Sequence, residues 1–171
     1  MKSITMITFR LMTENDLEFF NEVRNSCAEK YLHDSRKFTL EENKKWFANT
    51  TNVYYIIEYD KEKIGYFRTS NFSPINKNIY IGSDLHKKYR GLGLGCLAYL
   101  AFIPYLFETL QLHKISSEIL SSNTTAIKLY RKLRFVEEGR KRDEVKKDDI
   151  YIDSIIMSIL ESEWKKSVPY N

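Results

Sequence analysis

The chain has 171 residues, 43% of them apolar, so it can bury a sizeable core and is neither disordered nor fibrous. With 27 Lys and Arg against 23 Asp and Glu, its formal charge of +4 is spread along the sequence and forms no block that would mark a nucleic-acid footprint. The two cysteines, Cys27 and Cys96, exclude a disulfide framework and fit a reducing compartment, and the three scattered histidines offer no metal site.

In chain order, residues 4–11, with Ile4, Met6, Ile7, Phe9 and Leu11, read as a first strand. Thr13 with Asp16 three positions later is close to a capping box and predicts a helix to about Asn25. Thr39 with Glu42 repeats the signal ahead of a second helix that carries Trp46 and Phe47. Val53–Tyr59 and Ile64–Ser70 are strands joined by the polar turn at 60–63, and Asn78–Leu85 is a third strand beyond the loop at Pro74.

After the glycine-rich stretch 90–95 comes an apolar segment to Leu110, too long for a strand. It predicts a helix that is apolar nearly all round, hence buried, and kinked at Pro104. Its run from Leu97 to Phe107 is well short of the ~18 residues a spanning helix needs. Residues 1–16 show no continuous apolar stretch or cleavage site of signal-peptide type. A soluble, cytoplasmic protein is expected. Lys114–Leu120 is a further strand, and Asn123 can cap a helix with Ala126, Ile127, Tyr130 and Leu133 at helical spacing. A hairpin closes the chain, with strands Phe135–Val145 and Ile150–Leu160 around a turn at 146–149. The order βααβββαβαββ predicts an α+β (mixed α/β) domain with a largely antiparallel sheet covered by helices.

The strongest chemical signal is the strand–loop–helix at 78–110. Gly91, Gly93 and Gly95, at every second position, let the backbone turn sharply and bare its N–H groups. A helix starting at once adds unpaired donors and the positive end of its dipole, which together suit a phosphate or diphosphate. A P-loop would need Gly-Lys-Ser/Thr where Gly95 is followed by Cys96 and Leu97, and a dinucleotide fingerprint would need Gly-x-Gly-x-x-Gly. Neither is present. A turn packed for close strand–helix approach is the remaining structural alternative.

Arg90-x-x-Gly93-x-Gly95 after the strand Tyr80–Leu85 resembles the acetyl-CoA loop of the GNAT N-acetyltransferases. The resemblance continues through 118–123, 126–135, Glu138-Gly139 and the closing strand 153–160, and spans about residues 5–160. It implies a GNAT fold with a central, mostly antiparallel sheet and helices on both faces, residues 1–171 forming one N-acetyltransferase domain. It implies acetyl-CoA as cofactor and a small-molecule amine as partner, with no nucleic acid, membrane or metal involved and homodimerisation left open. By the same resemblance Leu85, Arg90, Gly91, Gly93, Leu94, Gly95 and Asn123 contact the cofactor, and Tyr130 is the general acid. Glu118, twelve positions before Tyr130, is the expected general base, with Asp84 and His86 as rivals. One departure is Arg134, where the family usually has Gly; if that position is left-handed, it costs ~1 kcal/mol.

A phenol with an ordinary pKa near ~10 keeps its proton at neutral pH and can pass it to a departing thiolate. Taken alone, Tyr130 also reads as a core aromatic, and Glu118 as a solvated strand carboxylate. Cys96, in the first turn of the loop helix, could carry an acetyl group; a packing role and direct transfer in a ternary complex are expected instead. Arg24-Asn25 and the segment 38–47 resemble amino-sugar acetyltransferases, and the remainder is as similar to ribosomal-protein N-terminal and spermidine acetyltransferases. Arg24, Lys30, Tyr31, His33, Arg36, Lys37 and Trp46, set against Glu29, Asp34, Glu41 and Glu42, lean toward a nucleotide-linked amino sugar. A protein N-terminus or polyamine, or an acyl-CoA-binding module without turnover, are the other readings.

Overall fold

The computed structural model describes residues 7–167. β1 (Ile7–Leu11), β2 (Val53–Tyr59), β3 (Glu62–Ser73), β4 (Asn78–Leu85), β5 (Lys114–Leu120), β6 (Val136–Lys147) and β7 (Ile150–Leu160) form one sheet. The helices are α1 (Leu17–Tyr31), α2 (Leu40–Phe47), α3 (Leu94–Leu110), α4 (Thr124–Lys132) and α5 (Glu161–Ser167). The strand order is β1-β2-β3-β4-β5-β7-β6, and every pairing is antiparallel except that of β4 with β5.

Strand alternation sorts the core into two layers. Tyr55, Ile57, Phe67, Ile79 and Ile115 point to the face covered by α3, α4 and α5. Tyr54, Ile56 and Tyr66 point to the other, where α1 packs with Leu17, Phe20, Val23 and Cys27. The apolar run Tyr54-Tyr55-Ile56-Ile57 is continuous because both faces of β2 are covered. Phe102 of α3 stacks on Phe67 with ring centroids 4.0 Å apart, which seats the helix across the middle of the sheet.

Several expectations are revised. Ile4 and Met6 lie outside the described residues. Thr13 and Asp16 do form their box, with the Thr13 N–H donating to Asp16 Oδ2 at 2.9 Å. The residues between them make a single 3-10 turn, however, and α1 starts only at Leu17. It then runs to Tyr31, beyond the expected Asn25, because Cys27 and Ala28 continue its buried stripe and no helix breaker intervenes. The Thr39–Glu42 box opens α2 as expected. β3 reaches Glu62 and Ser73, and β6 reaches Lys147, longer than the apolar pattern alone indicated. α3 is not enclosed on all sides: Leu97 and Leu100 are about half exposed. Pro104 lies inside the helix, and the N–H it lacks would have met the carbonyl of Leu100 on that open flank. α5 was not foreseen; it is a seven-residue cap whose buried residue is Trp164. Among the described residues no helix is long and apolar enough to cross a membrane.

Candidate active site

β4 and β5 pair only at Asn78–Lys114, Ile79–Ile115 and Tyr80–Ser116. Beyond these pairs the strands separate, and a wedge opens between Ile81–Leu85 and 117–120. A cavity of about 870 Å³ lies on the wedge. Gly82, Ser83, Asp84, Ser117, Glu118, Asn123 and Tyr130 line its sheet side, and residues of α1, α2 and the segment between them form its outer wall.

The loop end is built from backbone. Gly91 and Gly93 have φ of 76° and 79°, the left-handed region that favours glycine. A Cβ at either would meet nothing within 4 Å, so both positions border open space into which a diphosphate could come. The N–H groups of Cys96 and Leu97 both turn to the Gly93 carbonyl, at 3.1 and 3.3 Å. The N–H groups of Gly93, Leu94 and Gly95 are the remaining donors at the open end of α3. Gly95 differs in kind, because a Cβ there would make ordinary contact with Leu85 at 3.6 Å.

Leu85 and Arg90 act together. His86 donates its N–H to Ile64 (2.8 Å), so strand alternation turns the N–H and C=O of Leu85 away from β3 and into the wedge. Arg90 Nε takes that carbonyl at 2.8 Å, which leaves the Leu85 N–H to meet a pantetheine arm. Arg90 Nη2 reaches Ser26 Oγ (2.9 Å) and Cys27 Sγ (3.0 Å). The guanidinium therefore clamps the loop to β4 and α1, and burial pushes the Cys27 thiol up to about 12. Asn123 caps α4 by accepting from the Ala126 N–H at 3.1 Å, so its amide Nδ2 is what it can present to a ligand. This donor set fits the diphosphate and pantetheine of coenzyme A.

Tyr130 is 3% exposed, and its hydroxyl lies 2.7 Å from that of Tyr99. Burial raises its pKa above the ordinary phenol value, so it holds its proton at neutral pH. Glu118 sits on the opposite face of β5 from Ile115 and Ile119, which belong to the α3–α4 layer with Tyr130. The two side chains thus approach the wedge from opposite faces of the sheet. Glu118 pairs with Lys141 Nζ at 2.8 Å, while His33 Nε2, whose pKa burial lowers, lies 3.5 Å from it and bonds Ser154 Oγ at 2.8 Å.

Of the rival bases, Asp84 lines the cavity, accepts from the Tyr66 hydroxyl at 2.7 Å, and is raised above the usual carboxylate value by burial. His86 is not among the lining residues; it stacks against Phe19 and bonds Glu22 at 3.0 Å. Cys96 packs on the flank of α3 against the core.

The outer wall includes Arg24, Tyr31, His33, Asp34, Arg36 and Trp46, while Lys30, Lys37, Glu29 and Glu41 do not line it. Asn25 ties the α1–α2 segment in place through both main-chain groups of Phe38 (2.7 and 3.0 Å). Three residues were missed as site components. Arg68 of β3 faces Gly82 across the register, where a Cβ would crowd its guanidinium at 3.3 Å. Tyr99 and Lys141 come from α3 and β6, and only the folded sheet brings them to Tyr130 and Glu118.

A family model described as acetyltransferase (GNAT) domain matches residues 6–136. The chain belongs to the GNAT acetyltransferase family. A spermidine N(1)-acetyltransferase from Escherichia coli K12 is 23% identical over 175 residues, covering 96% of this chain and 91% of the relative. The structure of a spermidine N-acetyltransferase from Vibrio cholerae with CoA and spermine superposes with a TM-score of 0.84 at 24% identity, covering 93% of this chain and 98% of that one. A ribosomal-protein-alanine N-acetyltransferase from Brucella melitensis gives 0.77 at 21% identity, over 90% and 99%. The fold class, the N-acetyltransferase activity and acetyl-CoA as its acetyl donor stand as expected for this GNAT chain.

Proposed function

We propose that this GNAT chain acetylates a primary amine carried on a neutral or anionic polar scaffold, of the nucleotide-linked amino-sugar class. The carrying observation is the charge matching in the cavity. Asp34 is paired with Arg36 at 2.7 Å and Arg24 at 3.7 Å, and Glu118 with Lys141 at 2.8 Å. Glu42 is engaged by the Thr39 N–H at 2.7 Å, and Asp84 by Tyr66. Among the described residues no carboxylate is paired with Arg68, which lines the same cavity. A polycation would have to displace existing pairs, whereas a phosphate or sugar hydroxyl meets a waiting guanidinium.

Acetyl-CoA supplies the thioester carbonyl and the leaving thiol. The N–H groups of Gly93, Leu94 and Gly95, with Gly91 shaping the loop and Arg90 holding it, grip the diphosphate. The Leu85 N–H and Asn123 Nδ2 align the pantetheine arm. Glu118, on the acceptor side, takes the proton the amine must lose before it attacks, and Lys141 holds the carboxylate at the wedge. Tyr130, on the other face, gives its hydroxyl proton to the departing sulfur. Transfer is direct, with Cys96 as packing.

A polyamine or protein N-terminus is the second reading, favoured by what the relatives are named for. Thiol release from acetyl-CoA, measured with a nucleotide-linked amino sugar, spermidine and an alanine-initiated peptide, separates the readings. The sugar nucleotide is expected to give the highest kcat/KM, and Arg68→Met to raise its KM about tenfold by removing a charged hydrogen bond. Preference for spermidine, with no effect of Arg68→Met, overturns the proposal.

A further inference from the structure

α3 contributes one group to the reaction centre that lies wholly inside the protein. Tyr99 is 1% exposed, its ring is tilted against that of Tyr130 with centroids 5.4 Å apart, and the two hydroxyl oxygens are 2.7 Å apart. Only one of the two protons can sit in that bond. Tyr130 lines the cavity and Tyr99 does not. If Tyr130 donated to Tyr99, it would have no proton to aim at the cavity, and the Tyr99 proton would turn to the neighbouring Ser83 hydroxyl. In the arrangement in which Tyr99 donates, the Ser83 and Ser117 hydroxyls can donate to the two phenol oxygens, and the Tyr130 proton is left to point at the wedge.

We propose that Tyr99 is a positioning residue for acid catalysis: its buried O–H donates to the Tyr130 oxygen, orients that hydroxyl toward the thioester sulfur, and stabilises the phenolate formed on proton transfer. The proposal rests on the reading of Tyr130 as general acid. In the step it serves, the amine nitrogen bonds to the acetyl carbon and the carbon–sulfur bond breaks. The Tyr130 proton goes to sulfur, and the phenolate regains a proton from the one released by the amine through the cavity. The Tyr99 proton stays on Tyr99 throughout. A hydrogen bond that meets a full charge only as the reaction proceeds strengthens in the transition state, so its removal is read in kcat and not in substrate binding.

The test compares Tyr99→Phe, Tyr130→Phe and the double variant in steady-state assays across pH, with calorimetric titration of coenzyme A as the control for the fold and the loop. Tyr99→Phe is expected to lower kcat about tenfold with KM for acetyl-CoA and coenzyme A affinity unchanged. The alkaline limb of its kcat profile should move to higher pH, because the phenolate loses a donor. In the Tyr130→Phe background the same change should alter kcat little. An unchanged kcat and alkaline limb in Tyr99→Phe, while Tyr130→Phe is impaired, overturns the role of Tyr99 and leaves Tyr130 as the acid. A fully active Tyr130→Phe overturns the acid reading and this proposal with it. If Tyr99→Phe lowers thermal stability but leaves the profile and kcat intact, Tyr99 is a packing residue and the proposal fails.

Discussion

At the scale of single residues, the loop glycines do different jobs. Gly93 must hold φ of 79°, a conformation that costs a side chain ~1–2 kcal/mol and a β-branched one most. The space around it is open, so a valine there would stand in the path proposed for the diphosphate. Gly93→Val is therefore expected to reduce coenzyme A affinity by at least about tenfold in a calorimetric titration, since both strain and obstruction act at the turn proposed to hold the diphosphate. Gly95→Ala is the contrast: its Cβ makes ordinary contacts with Leu85 at 3.6 Å and Leu129 at 3.8 Å, and affinity should change by less than about threefold. Equal losses in the two variants would argue that the loop does not hold the diphosphate.

At the scale of elements, the end of α4 decides where Tyr130, the proposed acid, stands. The Phe135 N–H bonds the Tyr130 carbonyl at 2.9 Å and the Arg134 N–H bonds that of Arg131 at 3.0 Å. The Phe135 ring packs edge-on against Tyr130 at 4.9 Å. These are the two crossed bonds and the apolar contact of a Schellman ending, with Arg134 in the left-handed position at φ 70°. The sequence-based concern over Arg134 is thus realised. Arg134→Gly relieves the strain and is expected to stabilise the protein by ~1 kcal/mol, a rise of about 2–4 °C in melting temperature by calorimetry, with kcat unchanged. A lower melting temperature would mean that the arginine side chain contributes more than its backbone costs.

At the scale of the whole molecule, Asp16 joins separate parts of the fold. Its carboxylate is 1% exposed and accepts from Arg10 of β1 at 2.7 and 2.9 Å, from Lys63 of β3 at 2.6 Å, and from the Thr13 N–H at 2.9 Å. The Arg10 guanidinium, first among these partners, holds its pKa well below the usual carboxylate range. A lowered native pKa means that the contribution to stability is complete above the unfolded value of ~4 and is lost as pH falls through the native value. Asp16→Ala should cost ~2 kcal/mol at neutral pH, the lower side for a broken buried pair because Arg10 and Lys63 reach water. Urea denaturation at pH 7 and again well below pH ~4 checks this: the gap between variant and parent should narrow in acid.

What the sequence by itself determined was whatever is written locally. The bounds of β2, β4, β5 and β7 follow from runs of β-branched and aromatic residues, and the starts of α2 and α4 from Thr39 and Asn123, because strand propensity and capping act within a few residues. The turn at Gly91 and Gly93 was legible for the same reason: its positive φ is main-chain geometry that favours glycine. The end of α1, the open flank of α3 and the short helix α5 were not legible, since each depends on what lies across the sheet or beside the helix. The site divides in the same way. Tyr130 and Glu118 stand out in their motifs. Their surroundings — Tyr99 of α3 on one, Lys141 of β6 and His33 of the α1–α2 segment on the other, and Arg68 facing Gly82 — come from parts of the chain that only the assembled sheet brings together. The parting of β4 and β5 is likewise a property of the assembled sheet, so the charge and burial of the cavity were decided by the tertiary structure.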